Sequence, residues 1–151
     1  MVSRTDQDRL ATAAAAGAPV EQGTSCTVLL VEHDRAQRDL VARGLRGAGY
    51  RVIEARDGDE AFQALEGLPR FCDAPLGVVL LDMALPKESG MEVLQQLTAH
   101  CGGAPLIAIS SNTRHLSAAL AAGAHAILVR PFELDHLLAE VERWCLRRRS
   151  A

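Results

Sequence analysis

Short apolar runs separated by amphipathic stretches recur along this chain from residue 27 onward. Thr27–Val31 and Gly77–Leu81 are apolar with no polar alternation, which fits strands buried on both faces of a parallel sheet. Pro105–Ile109 and Ala126–Val129 read as further strands, and Arg51–Ala55 alternates as an edge strand does. Helical patterns lie between them. Asp34-x-x-Gln37 has the spacing of a capping box and opens a helix that places Ala36, Leu40, Gly44, Leu45 and Ala48 on one face and stops at Gly47-Ala48-Gly49. Asp57-Gly58 turns into a second helix running to about Gly67. After a loop containing Pro69 and Pro75 and the Gly77–Leu81 strand, a third helix carries Met91, Leu94 and Leu97 inward. A fourth spans roughly Thr113–Ala122 and ends at Gly123, and the last sets Leu134, Leu137, Leu138, Val141 and Cys145 at helical spacing. Five strands alternating with five helices predict right-handed crossovers and a doubly wound, parallel α/β sheet.

Composition narrows the class. The 151 residues are enough for one domain with a core that needs no disulfide, and 48% apolar with only 3% aromatic residues suits helices packed on a small sheet. A net charge of -3 gives no electrostatic case for nucleic acid as a partner. Arg147-Arg148-Arg149 reads as a basic helix end that complements the helix dipole. The four cysteines, Cys26, Cys72, Cys101 and Cys145, are scattered, with no CxxC pair and no zinc-site spacing, so a reducing, cytoplasmic setting is the simplest expectation. No stretch approaches a membrane span, and Asp6 and Asp8 stand where a secretory signal wants positive charge. Residues 1–25 are expected to form a tail, and no length remains for a second, output domain.

Polar residues gather where strands give way to loops: Glu32-His33-Asp34 after the first, Asp82 after the third, Ser110 after the fourth and Arg130-Pro131 after the fifth. In open α/β sheets these carboxyl ends border the ligand crevice, so an accessible Asp82 carboxylate is expected there. Carboxylates, a hydroxyl and a fixed cation converging on one acid suit the handling of phosphate or a metal. Asp34 reads as a helix cap in preference to a metal ligand. Ser110 can also serve simply to satisfy a strand-end backbone group. His100, His115, His125 and His136 have no partner pattern and are expected at the surface.

Several of these segments, in this order and at these separations, make residues 26–148 resemble the receiver domain of bacterial response regulators. They are Val28-Leu29-Leu30-Val31-Glu32-His33-Asp34, Leu80-Leu81-Asp82 with Leu85-Pro86 and Gly90, Pro105–Ser110, Gly123-Ala124 and Arg130-Pro131-Phe132. The resemblance implies a flavodoxin-like (βα)5 fold with strand order 2-1-3-4-5. It implies phosphoryl transfer from a sensor histidine kinase or a phosphotransfer protein to Asp82, in a two-component phosphorelay, with no enzyme activity beyond autocatalytic phosphotransfer to that aspartate. Mg²⁺ is then held by the acids after the first strand, by Asp82 and by the backbone carbonyl of Ala84. Ser110 and the cation at position 130 contact the phosphate. Output passes to a downstream protein through helix 4, strand 5 and helix 5, or to a second copy of the chain.

Three positions depart from that pattern. The second acid is His33, the lysine is Arg130, and the aromatic switch residue is Ile127. Mg²⁺ wants hard oxygen ligands, so an imidazole weakens that corner. Arginine presents a planar fork suited to bidentate pairing with carboxylates. Arg130, with His33 when protonated, is therefore expected to neutralise Asp82 and Glu32 directly, and Ile127, smaller than an aromatic and stiff at χ1, to transmit little. The readings left open are a conventional phosphoacceptor, a phosphorylation-independent interaction module, and a transition-metal or pH sensor on Glu32, His33 and Asp82.

Overall fold

The computed structural model describes residues 26–67, 76–100 and 103–150. Residues 1–25, the Pro69–Pro75 loop with Cys72, Cys101, and the side chains of Arg147, Arg148 and Arg149 lie outside the described residues. Five strands alternate with five helices: β1 Thr27–Val31, α1 Arg35–Gly47, β2 Arg51–Ala55, α2 Gly58–Glu66, β3 Leu76–Asp82, α3 Gly90–His100, β4 Leu106–Ser110, α4 Thr113–Ala121, β5 Ala126–Val129 and α5 Leu134–Ser150. All pairings are parallel and the strand order is β2-β1-β3-β4-β5. This is the doubly wound, flavodoxin-like arrangement that the sequence predicts.

The period-2 pleat divides the core into two layers. Leu29, Val31, Val79, Leu81 and Leu106 point to the face covered by α2, α3 and α4, with Ala61, Leu94, Leu97 and Leu116 beneath them. Val28, Leu30, Val78, Leu80 and Ile107 point to the other face, against Val41 and Leu45 of α1 and Leu137 and Val141 of α5. β1 and β3 are central and covered on both sides, which is why their sequences are apolar without alternation. Each fully buried leucine of these strands contributes roughly 2 kcal/mol of hydrophobic stabilisation.

The helix starts follow their caps: Asp34 Oδ1 accepts from Gln37 N at 3.0 Å, and Asp57 Oδ1 accepts from Glu60 N at 2.9 Å. Gly123, at φ 118°, closes α4 in the left-handed region that a glycine enters freely. The inward face of α1 differs from the sequence expectation. Val41, Ala42 and Leu45 are buried, whereas Leu40 is 55% exposed and Ala36 and Ala48 are also exposed. The helix is rotated so that the Val41-Ala42-Leu45 stripe meets the β1/β3 layer, while Gly44 lets Leu134 of α5 approach closely.

The cysteines add a feature that their spacing does not announce. Cys26 and Cys145, 119 residues apart, are joined by a disulfide. Scatter along the chain did not separate them, because α5 returns across the sheet to the start of β1. Among the described residues no helix is long and apolar enough to cross a membrane.

Candidate functional site

The carboxyl ends of β1, β3 and β5 bring Glu32, His33, Asp82 and Arg130 together. Glu32 follows β1, Asp82 is the last residue of β3, and Arg130 follows β5 on the same edge, with a cis Arg130–Pro131 peptide. Asp82 was expected to be accessible and is not: it is 1% exposed, and Glu32 is 3% exposed. The covering groups are the half-exposed His33 ring and the Arg130 guanidinium, which lie over both acids.

Arg130 bridges the two carboxylates. Its Nη2 donates to Glu32 Oε1, and its Nη1 donates to Asp82 Oδ1 at 3.3 Å. His33 Nδ1 lies 2.9 Å from Asp82 Oδ2 and 3.6 Å from Glu32 Oε2. Backbone donors complete the shell: Ala84 N–H reaches Asp82 Oδ1 at 3.0 Å, and Asp34 N–H reaches Glu32 Oε2 at 3.2 Å. Both buried acids therefore have their oxygens engaged by protein donors.

Their protonation equilibria are pushed apart. Burial, reinforced by the neighbouring Asp82, raises Glu32 to about 7. Burial also acts to raise Asp82, but the Ala84 N–H, the bonds with Glu32 and His33, and the Arg130 charge together hold it below the usual carboxylate range. Asp82 is thus the more readily ionised member of the pair, and Glu32 the one that gives up its proton only as the pH rises through about 7.

Ser110 ends β4 beside this cluster and is buried, but its Oγ accepts from Asn112 N at 3.0 Å, the strand-end role that the sequence also allowed. Ile127 is half-buried against the α2–α4 layer of the core. Asp34 acts as the α1 cap. His100, His115, His125 and His136 are exposed, as expected, although His125 Nδ1 accepts from Leu106 N at 3.1 Å.

Other residues support the site without a sequence signal of their own. Arg38 Nη1 donates to Glu32 O at 2.8 Å and so fixes the β1–α1 turn. Glu88 Oε1 accepts from Gly58 N at 3.0 Å, anchoring the loop after Asp82 to the N-terminus of α2, where the helix dipole favours a carboxylate. Gly90 packs on that loop so tightly that a Cβ would stand 2.3 Å from Met83 O. Beside the acids, a groove of about 590 Å³ runs past Arg130 and Phe132 to Leu40 and Val41 of α1.

Glu32, His33 and Asp82 each offer a ligand atom, and these atoms lie within 4.8 Å of one another. The donor set nevertheless fits Mg²⁺ poorly. One of the three is an imidazole nitrogen, and a guanidinium is already bonded to both carboxylates.

A doubly wound sheet with an acid at the end of its third strand and a basic residue before a proline at the end of its fifth defines a signalling receiver. The chain belongs to the response regulator receiver domain family, whose sequence model matches residues 28–142. It is 37% identical over 123 residues to the response regulator MprA of Mycolicibacterium vanbaalenii, covering 80% of this chain and 50% of that protein. It is 38% identical over 125 residues to the two-component response regulator-like PRR73 of Oryza sativa subsp. indica, covering 78% of this chain and 16% of that protein. The chain thus spans about half or less of these relatives' length. Among solved structures, the receiver domain of NtrX from Brucella abortus is similar with TM-score 0.68 and 28% identity, covering 78% of this chain and 97% of that one. A CheY-like receiver protein from Methanospirillum hungatei shares the fold at TM-score 0.73 and 22% identity, covering 84% of this chain and 98% of that one. Receiver domains typically bind Mg²⁺ and interact with histidine kinases and effector domains.

Proposed function

We propose that this chain is an atypical receiver whose acid pocket is satisfied by its own Arg130 and His33, so that Mg²⁺-dependent phosphorylation of Asp82 is impaired and signalling runs through protein contacts. The observation that carries this reading is Arg130 bridging Glu32 and Asp82 while His33 engages the remaining Asp82 oxygen. In the family the bound metal supplies positive charge where phosphoryl oxygens accumulate negative charge. Here the charge comes from a guanidinium tied to the protein, and its bonds must break before either carboxylate can turn to a metal or a phosphoryl group. The chain acts on no separate substrate.

The partners of this reading are a sensor kinase or phosphotransfer protein on the pocket side and a downstream protein, or a second copy, on the α4–β5–α5 face. Leu120 of α4 and Val129 of β5, each 45% exposed, support an apolar contact on that face. A conventional phosphoacceptor is the second reading, favoured by the ionised state of Asp82, which is the form that attacks phosphorus.

Calorimetric titration with Mg²⁺ tests the first reading. The wild type should give no saturable heat at millimolar Mg²⁺, and the His33→Asp/Arg130→Lys double variant should bind. Equal binding by both, or a folded double variant that still does not bind, would refute it.

A further inference from the structure

Cys26 stands immediately before β1, and Cys145 lies on the inward face of α5. Their Cα atoms are 6.3 Å apart and their sulphurs are bonded. Both are buried against Val141 and the β1/β3 layer of the core. β3 makes the room for them. A Cβ on Gly77 would stand 2.0 Å from Cys26 Sγ and 3.4 Å from Cys145 Sγ, so the strand position facing the sulphur pair carries no side chain. The pair sits at the opposite end of β1 from Glu32, roughly 20 Å away along the strand. It is therefore separate from the acid pocket.

Two layers of core cover the central strands on both faces. Among the described side chains of α5, Cys145 is the last buried one, one turn beyond Val141, with the Trp144 ring packed edge-on to His125 at 5.6 Å and lying under Arg143. The end of a helix opens at lower free energy than buried central strands do. Breaking the bond therefore acts first on the end of α5.

We propose that Cys26 and Cys145 are a redox modification site, a reversible latch on the second half of α5 whose reactant class is a small dithiol. A thiolate of the reagent attacks Cys26 Sγ, forming a mixed disulfide as Cys145 leaves as a thiolate. The reagent's second thiolate then attacks its own sulphur in the mixed disulfide and expels Cys26. The reagent departs as its cyclic disulfide, and its two protons reside on the two cysteines. One protein disulfide and one dithiol become two protein thiols and one oxidised dithiol, and the reverse reaction closes the latch.

Amide hydrogen exchange on the full chain, air-oxidised and dithiothreitol-reduced, tests the proposal, with alkylation and peptide mass spectrometry reporting the sulphurs. In the oxidised protein Cys26 and Cys145 should resist alkylation. On reduction, exchange should rise at least tenfold in residues 142–150, stay unchanged in β1, β3 and β4, and return on reoxidation. Cys145→Ser should show the reduced pattern under both conditions. Gly77→Ala should impede disulfide formation and, placed on Cys26→Ala, should perturb exchange no further. Ready alkylation of both cysteines in oxidised protein, unchanged exchange on reduction, or a rise through the whole sheet would each overturn the latch. So would a Gly77→Ala protein that oxidises as readily as the wild type.

Discussion

The His33 ring nitrogen Nδ1 stands 2.9 Å from Asp82 Oδ2, at the position where a receiver usually supplies a second acid. Asp82 is ionised, and a carboxylate only accepts, so Nδ1 is the nitrogen that carries a proton. A group that would ordinarily repel Asp82 and share a cation with it instead donates to it. With Arg130 and the Ala84 N–H on Oδ1, the carboxylate is satisfied from within the chain.

Arg130→Ala removes the cation between two buried acids. The variant should lose on the order of 3 kcal/mol of stability at neutral pH, because an uncompensated buried charge remains. Urea unfolding measures this, and Arg130→Lys should recover part of the loss. A neutral effect would mean that the bridge does not form in solution.

His33→Ala should be milder, about 1 kcal/mol, because the ring is 42% exposed and water can take its place beside Asp82. The same urea series measures it. A loss as large as that of Arg130→Ala would assign His33 a larger share of the neutralisation than this geometry gives it.

Stability should depend on pH through Glu32. Its carboxyl rises from 4.5 to about 7 on folding, so the folded state holds a proton that the unfolded state releases. That contribution is complete below about pH 4.5 and is lost as the pH rises through about 7. Asp82 acts in the opposite sense, contributing above its ordinary value of 3.8 and losing that contribution in stronger acid. Unfolding free energy measured between these limits should decline with rising pH in the wild type, and Glu32→Gln should remove that decline. An unchanged slope in the variant would place the titrating group elsewhere.

Gly90→Ala should destabilise by about 1–3 kcal/mol, since a methyl group there meets the Met83 backbone and not a yielding side chain. The strain falls one residue from Asp82, so the Ala84 amide resonance should shift with it in NMR spectra. A silent substitution would show that the loop after β3 moves freely.

The sequence carried the fold because β1 and β3 are apolar without alternation and Gly123 stops a helix where a strand must follow. It also named Glu32, His33, Asp82 and Arg130, since polar residues that end buried strands converge on one edge of a parallel sheet. What it missed depends on side chains crossing between elements. Asp82 is covered by His33 and Arg130, 49 and 48 residues away in the chain. The pairing of Cys26 with Cys145 needs Gly77 on a third strand. Leu40 was placed inward because one apolar stripe of α1 is nearly as good as another until α5 fixes the rotation. The Glu88 anchor left no local signal at all.

The most direct measurement is the intact mass of the protein after incubation with acetyl phosphate and Mg²⁺, for the wild type, the His33→Asp/Arg130→Lys variant, and that variant carrying Asp82→Asn. The wild type should keep its mass, the double variant should gain one phosphoryl group, and Asp82→Asn should abolish the gain. A wild type that gains the phosphoryl group as fully as the double variant would contradict the account.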